Sequence, residues 1–165
     1  MNRHYLLSSF AGILFLLAFA PFNVSILAAV SIGYLFVLCL TQPLKIVVRS
    51  YFYFGLILFA SGLYWLYISI HTVSGGPIWL AILLIAILSV FMALYYALAG
   101  YLISLSYTKF QSQSLTLLII APSIWSLIEW FRGWLFSGFP WFSVGHSQTD
   151  TYLSNWASIG GIYMV

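Results

Sequence analysis

Charge is almost absent from this chain, and that absence limits what it can fold into more than any motif does. The 165 residues include five lysines and arginines and two acidic residues. From Arg49 to Lys109 no further lysine, arginine, aspartate or glutamate occurs. A water-facing domain needs polar surface to coat its core. With 64% hydrophobic residues and a mean hydropathy of +1.08, this chain lacks it. In a bilayer every backbone N–H and C=O must be satisfied within the protein, which leaves helices or closed barrels. The alternating strands of a barrel are missing. The sequence therefore predicts an all-α integral membrane protein, a polytopic helix bundle.

Five apolar segments, at about 5–20, 24–40, 46–70, 78–107 and 115–136, are separated by polar punctuation, and a truncated sixth occupies 156–165. The first two are short against the ~20 residues that cross a ~30 Å core, and the last is shorter still. Pro21 stops the first segment because its ring cannot continue a helix. The run from Arg3 to Ala20 resembles a signal peptide, but Pro21 after the small-residue site points to a retained first helix. Ser89, Ala93 and Ala97 recur every four residues, and Gly55 and Gly62 dot the third segment. These are expected as seams for close helix packing rather than as a substrate groove.

The formal charge of +3 is too sparse for a nucleic-acid surface, so no nucleic-acid partner is expected. It serves as topology information instead. With a cytoplasmic N-terminus, Arg3, Lys45, Arg49 and Lys109 all lie inside, in keeping with the positive-inside rule. The loops 71–77 and 137–155 then face outward. Cys39 is the only cysteine and sits in an apolar run, where a buried inert thiol is expected rather than a nucleophile.

Both acidic residues fall between Glu129 and Asp150. Glu129 and Arg132, at i and i+3, share a helix face with Trp125 and Phe136 and are expected to neutralise each other as a structural ion pair. The sharper alternatives place Arg132 on a lipid phosphate or have Glu129 move a proton. His71 and His146 lack the HxxxH or HExxH spacing of a metal site, so neither a metal nor a cofactor is expected. Ser147, His146 and Asp150 are the residue types of a hydrolase triad, but their adjacency denies triad geometry. Loop hydrogen bonding is the favoured role for all three. Trp134, Trp141, Trp156 and Tyr152 suit an interfacial aromatic belt.

The blocks LAFAPF at 17–22, FGLILFASGLYWLYISIH at 54–71 and APSIWSLIEWFRGWLFSGFPWFSVGHSQTD at 121–150 resemble the N-terminal membrane region of bacterial apolipoprotein N-acyltransferases. The likeness covers nearly the whole chain, and its EWFRGW and GFPW elements are unusual. It implies transfer of an acyl chain from a phospholipid donor to the free amino group of a diacylglyceryl-cysteine lipoprotein, at the outer face of the bacterial inner membrane. It also implies a nitrilase-like domain whose cysteine forms a thioester.

No position of this sequence matches the family's catalytic glutamate, lysine or cysteine. The chain is therefore expected to be a truncated membrane portion, inactive alone or completed by a separately encoded nitrilase-like part. By the resemblance, Phe139, Pro140, Trp141 and His146 are the acyl- or lipid-contact candidates, with His146 standing where the family commonly has tyrosine. A small transporter-like bundle using Glu129 and Arg132, or a non-catalytic lipid-binding scaffold, are the alternative functions. A transporter would show internal repeats and paired broken helices, which this sequence lacks.

Overall fold

The computed structural model describes residues 3–165, and among them every regular element is helical. The helices are α1 (Arg3–Leu16), α2 (Ile26–Thr41), α3 (Leu44–Gly62), α4 (Tyr64–Tyr67), α5 (Ile78–Phe110), α6 (Gln113–Leu115), α7 (Ala121–Trp134) and α8 (Ala157–Gly160). Three runs are long and apolar enough to cross a membrane: Leu44–Gly62, Ile78–Phe110 and Gln113–Ser137. α2 is apolar but has 16 residues, and α1 has 14. The expectation of about five spans thus resolves into three full-length candidates and two short helices.

Several expected boundaries shift, each for a local reason. The first segment loses its helix at Leu16, and residues 17–23 turn over, because Pro21 offers no N–H and restricts the residue before it. The expected 46–70 helix divides. α3 ends at Gly62, Leu63 leaves helical geometry at ψ 13°, and α4 passes into a π-helical turn at Ile68–Val73. Gly62 leaves room for a ring from elsewhere in the chain: a Cβ there would stand 2.5 Å from Phe142 Cζ. The fifth segment carries a π-turn at Thr116–Ile120 directly before Pro122. A proline in a helix lacks a donor and crowds the carbonyl four residues back, and a π-bulge relieves both. The last apolar run forms α8 and a 3-10 turn at Gly161–Tyr163, folded back so that Ile162 lies against Gly145 and the Tyr163 hydroxyl against Gly133.

The helices pack through small residues. α3 and α5 run antiparallel, with Gly55 set so close to Ala93 that an added Cβ would lie 3.0 Å from its Cα. Gly100 receives the Tyr51 ring in the same way. Ser89, Ala93 and Ala97 are all buried, so the four-residue repeat is a packing seam. α1 lies parallel to α3, with Gly12 beside Phe54 and Leu58, and Leu16 beside Gly62. At the centre of the core Phe54 meets Tyr96 and Trp125 edge-on, and Tyr96 lies tilted against Trp125.

This arrangement gathers Arg3, Lys45, Arg49 and Lys109 at one end of the bundle. The α1–α2 corner and the loop after α7 form the opposite end. Gly55→Val should overpack the α3–α5 seam and cost about 1–3 kcal/mol. Thermal unfolding of the detergent-solubilised chain, followed by circular dichroism, checks this against Gly33→Val, whose Cβ meets nothing within 4 Å.

Candidate functional site

Beyond α7 the chain crosses the loop-bearing end of the bundle as an irregular segment, part of whose backbone is buried. Its polar groups must therefore be met by protein. Two side chains of the last turns of α7 meet them. Arg132 is 1% exposed and Glu129 2%, and buried charges persist only with full sets of partners.

Arg132 Nη1 donates to the carbonyls of Phe139 at 2.7 Å and Trp141 at 2.6 Å. Its Nη2 donates to Ser143 Oγ at 3.2 Å, and that hydroxyl in turn donates to the Pro140 carbonyl at 3.0 Å. Three consecutive carbonyls are thereby satisfied. The Arg132 carbonyl accepts from the Phe139 N–H, and the guanidinium lies 5.5 Å from the centre of the Phe59 ring, a cation–π distance. Both Glu129 oxygens accept from the Val144 N–H at 3.1 Å, and Oε1 also accepts from Trp125 Nε1 at 3.0 Å.

Glu129 and Arg132 act on each other through their charges, while each side chain hydrogen-bonds to the loop. A planar guanidinium with five donors fits several converging carbonyls better than one carboxylate one turn away. At 1% exposure Arg132 offers almost no surface to a lipid phosphate.

The loop they hold is strained. Phe136, Ser137 and Phe142 adopt left-handed backbone angles, φ 53°, 75° and 59°, each unfavourable for a residue with a Cβ. At Gly138, also left-handed at φ 76°, a Cβ would run into the Gly133 carbonyl. The turn at Phe142 drives its ring into the Gly62 niche, where it packs edge-on with Phe19 and Phe59. Phe139 packs on Phe59 and, at 4.9 Å, on Trp141, whose other neighbour is Trp65 at 6.1 Å.

A cavity of about 460 Å³ opens between this loop and the α1–α2 corner, lined by Phe19, Asn23, Pro140, Trp141, Phe142 and His146 among others. Three sequence candidates, Pro140, Trp141 and His146, thus meet at one cavity. Phe139 lies behind Trp141, toward Phe59. Burial and the Arg132 charge push the His146 imidazole below its usual 6.5. Ser147 Oγ donates to the Val144 carbonyl and Thr149 Oγ1 to the His146 carbonyl, so both hydroxyls serve the backbone. At the neighbouring tip, His71 Nδ1 donates to the Gly76 carbonyl at 2.8 Å. Sequence reasoning missed Ser143 and the Val144 N–H, which no motif marks, and Phe19 and Asn23, whose only signal was the turn around Pro21.

A family model for the apolipoprotein N-acyltransferase N-terminal domain matches residues 11–165. The chain belongs to the apolipoprotein N-acyltransferase family. It is 39% identical over 163 residues to the apolipoprotein N-acyltransferase of Methylococcus capsulatus, covering 97% of this chain and 31% of that protein. The corresponding figures are 34%, 96% and 31% for the Vibrio vulnificus enzyme and 36%, 96% and 29% for that of Pasteurella multocida. The chain thus spans about 30% of the length of these curated apolipoprotein N-acyltransferases.

Removing Arg132 leaves buried acceptors unmet, at about 1–3 kcal/mol each. Arg132→Leu should therefore speed amide exchange across 139–145 far more than in α3 and α5, as hydrogen-exchange mass spectrometry can resolve. Because folding lowers the His146 pKa, its contribution to stability is complete above the unfolded value of 6.5 and is lost as pH falls through the folded value. An NMR titration of the His146 ring should have its midpoint below 6.5, and protection factors in the loop, corrected for the intrinsic pH dependence of amide exchange, should fall on acidification.

Proposed function

We infer that residues 1–165 form the membrane portion of an enzyme that moves an acyl chain from a phospholipid to the amino group of a diacylglyceryl-cysteine lipoprotein, and that they guide acyl chains rather than perform the bond exchange. The cavity between the α1–α2 corner and the loop carries this reading. Its walls of Phe19, Trp141 and Phe142 are apolar, and Asn23, His146 and Thr149 bring polar groups to it. Its volume lies within the range of ligand sites, and an amphiphile at a membrane interface needs both kinds of wall.

On this reading a thiolate attacks the donor ester and expels the lysophospholipid as its alcohol, giving a thioester; the lipoprotein amine then attacks that thioester, forms the amide and releases the thiol. Cys39 does not suit that part. It is 3% exposed, its Sγ lies 3.1 Å from the Tyr51 hydroxyl, and Tyr51 stands eight residues, about 12 Å, along α3 from Phe59 at the loop. The nucleophile therefore belongs to a nitrilase-like part outside these residues, reached from the loop-bearing end. On this reading that end faces outward from the bacterial inner membrane and the basic end faces the cytoplasm. Trp141 is the residue best placed to hold an acyl chain, because its ring is fixed by Trp65 and Phe139 while still bordering the cavity.

The purified 165-residue chain, given labelled phospholipid and a diacylglyceryl-cysteine peptide, should form no acyl-enzyme and transfer nothing. Addition of a nitrilase-like part from a relative should restore transfer, and Trp141→Ala should lower that restored rate about tenfold, a loss of roughly 1.4 kcal/mol of transition-state binding. Transfer by the 165 residues alone would refute the division of labour.

A further inference from the structure

The loop-bearing end exposes a single acidic side chain. Glu129 is 2% exposed, whereas Asp150 is exposed and lines an open cavity of about 770 Å³ together with Thr149, Thr151, Tyr152, Ser154 and Asn155. The expected loop hydrogen bond of Asp150 is absent: among the described residues nothing donates to its carboxylate. Arg132 does not offset the charge at the surface, because it is buried and committed to the loop carbonyls.

The hydroxyls around Asp150 act as acceptors. Thr149 Oγ1 donates to the His146 carbonyl at 2.9 Å, Thr151 Oγ1 to the Gln148 carbonyl at 2.9 Å and Ser154 Oγ to the Thr151 carbonyl at 2.7 Å. A hydroxyl has one proton to give, so with it spent on the backbone each of these oxygens keeps lone pairs alone. A carboxylate beside three such oxygens complements a primary ammonium, whose three N–H groups all donate. Thr149 also lines the outer cavity, so the acceptor-rich lining and the apolar wall of Phe19, Trp141 and Phe142 meet at one side chain.

We propose that the cavity at Asp150 binds a primary ammonium, that of the free α-amino group of the diacylglyceryl-cysteine acceptor, while the acyl chains of the same molecule lie in the outer cavity. The proposal rests on the acyl-guiding reading and adds the residue that reads the amine. An α-amino group, with a pKa of about 8, is mostly protonated at neutral pH. In the acceptor only the short cysteine side chain separates that group from the acyl-bearing glyceryl unit, which suits two cavities that share a wall. An ethanolamine phospholipid also carries an ammonium, but its phosphate lies between the ammonium and the glycerol. Asp150 repels that phosphate, and among the described residues this end exposes no lysine or arginine to offset the repulsion. Acylation turns the amine into a neutral amide, so the site separates substrate from product.

The test places the 165-residue chain in phosphatidylcholine nanodiscs with a diacylglyceryl-cysteine peptide amide that bears no other charge and carries a diazirine on its second residue. Free-amine and N-acetyl forms are compared, and adducts are mapped by peptide mass spectrometry. The free amine is expected to label 149–155 about fivefold more than the N-acetyl form, the scale of one exposed charge pair. Asp150→Asn should erase the preference, Asp150→Glu should keep it, and high salt should shrink it. Asp150 has no partner to lose, so both variants should fold as the parent does, which circular dichroism checks.

Equal labelling by the two forms, or a preference that survives Asp150→Asn, would overturn the site. Replacing phosphatidylcholine by phosphatidylethanolamine should leave the preference intact; its loss there would assign the ammonium to the donor lipid and overturn the proposal. A second probe, with the diazirine at the end of an acyl chain, should label 19–23 and 140–142 whether or not the amine is blocked. Those adducts separate the two ideas: with them present, failure of the amine preference sinks the site alone, and without them the acyl-guiding reading falls and takes the site with it.

Discussion

The guanidinium of Arg132 is the contact on which the loop-bearing end depends. It brings the carbonyls of Phe139 and Trp141 to one nitrogen and, through Ser143, accounts for Pro140 between them. Without those donors the segment after α7 would leave part-buried carbonyls unmet, and a buried acceptor without a partner is costly. Glu129 plays the matching part for the Val144 N–H. Two charges that look expensive inside an apolar chain are therefore what holds a non-helical segment against the bundle.

Because these bonds fix the backbone, the loop can sustain left-handed geometry at Phe136, Ser137 and Phe142. That geometry sends Phe142 inward to the Gly62 niche and leaves Trp141 between Trp65 and Phe139. The strain and the aromatic wall are consequences of one arrangement: small residues on α3 admit the ring, and the charges on α7 hold the turn that delivers it. The outer cavity is the space left between that wall and the corner after α1.

Legibility varied with the physics of each feature. The helical class followed from the lack of charge, and α5 and the 113–137 run followed from length and hydropathy. The α3–α5 seam was visible in the spacing of Gly55, Ser89, Ala93 and Ala97. The break after Gly62 was not visible, because it depends on a ring arriving from residue 142. The sequence brought Glu129 and Arg132 onto one face but not to their partners, since the competing carbonyls come from residues that no helical periodicity relates to α7. Pro140, Trp141 and His146 were legible as candidates through the family resemblance, whereas their convergence with Phe19 and Asn23 was not.

By itself the sequence determined that this chain must satisfy its backbone in helices, that four of its five lysines and arginines gather at one end, and that its few charges near residue 130 need partners. Those are properties of composition and local spacing, which require no knowledge of what lies opposite. The tertiary structure alone decided which partners those charges take and that the two histidine-bearing loops at the far end do different work. It also decided that a cavity remains between the α1–α2 corner and the loop after α7. Each of these depends on groups far apart in the chain meeting in space, and hydrogen bonds and ring contacts act over a few ångströms only.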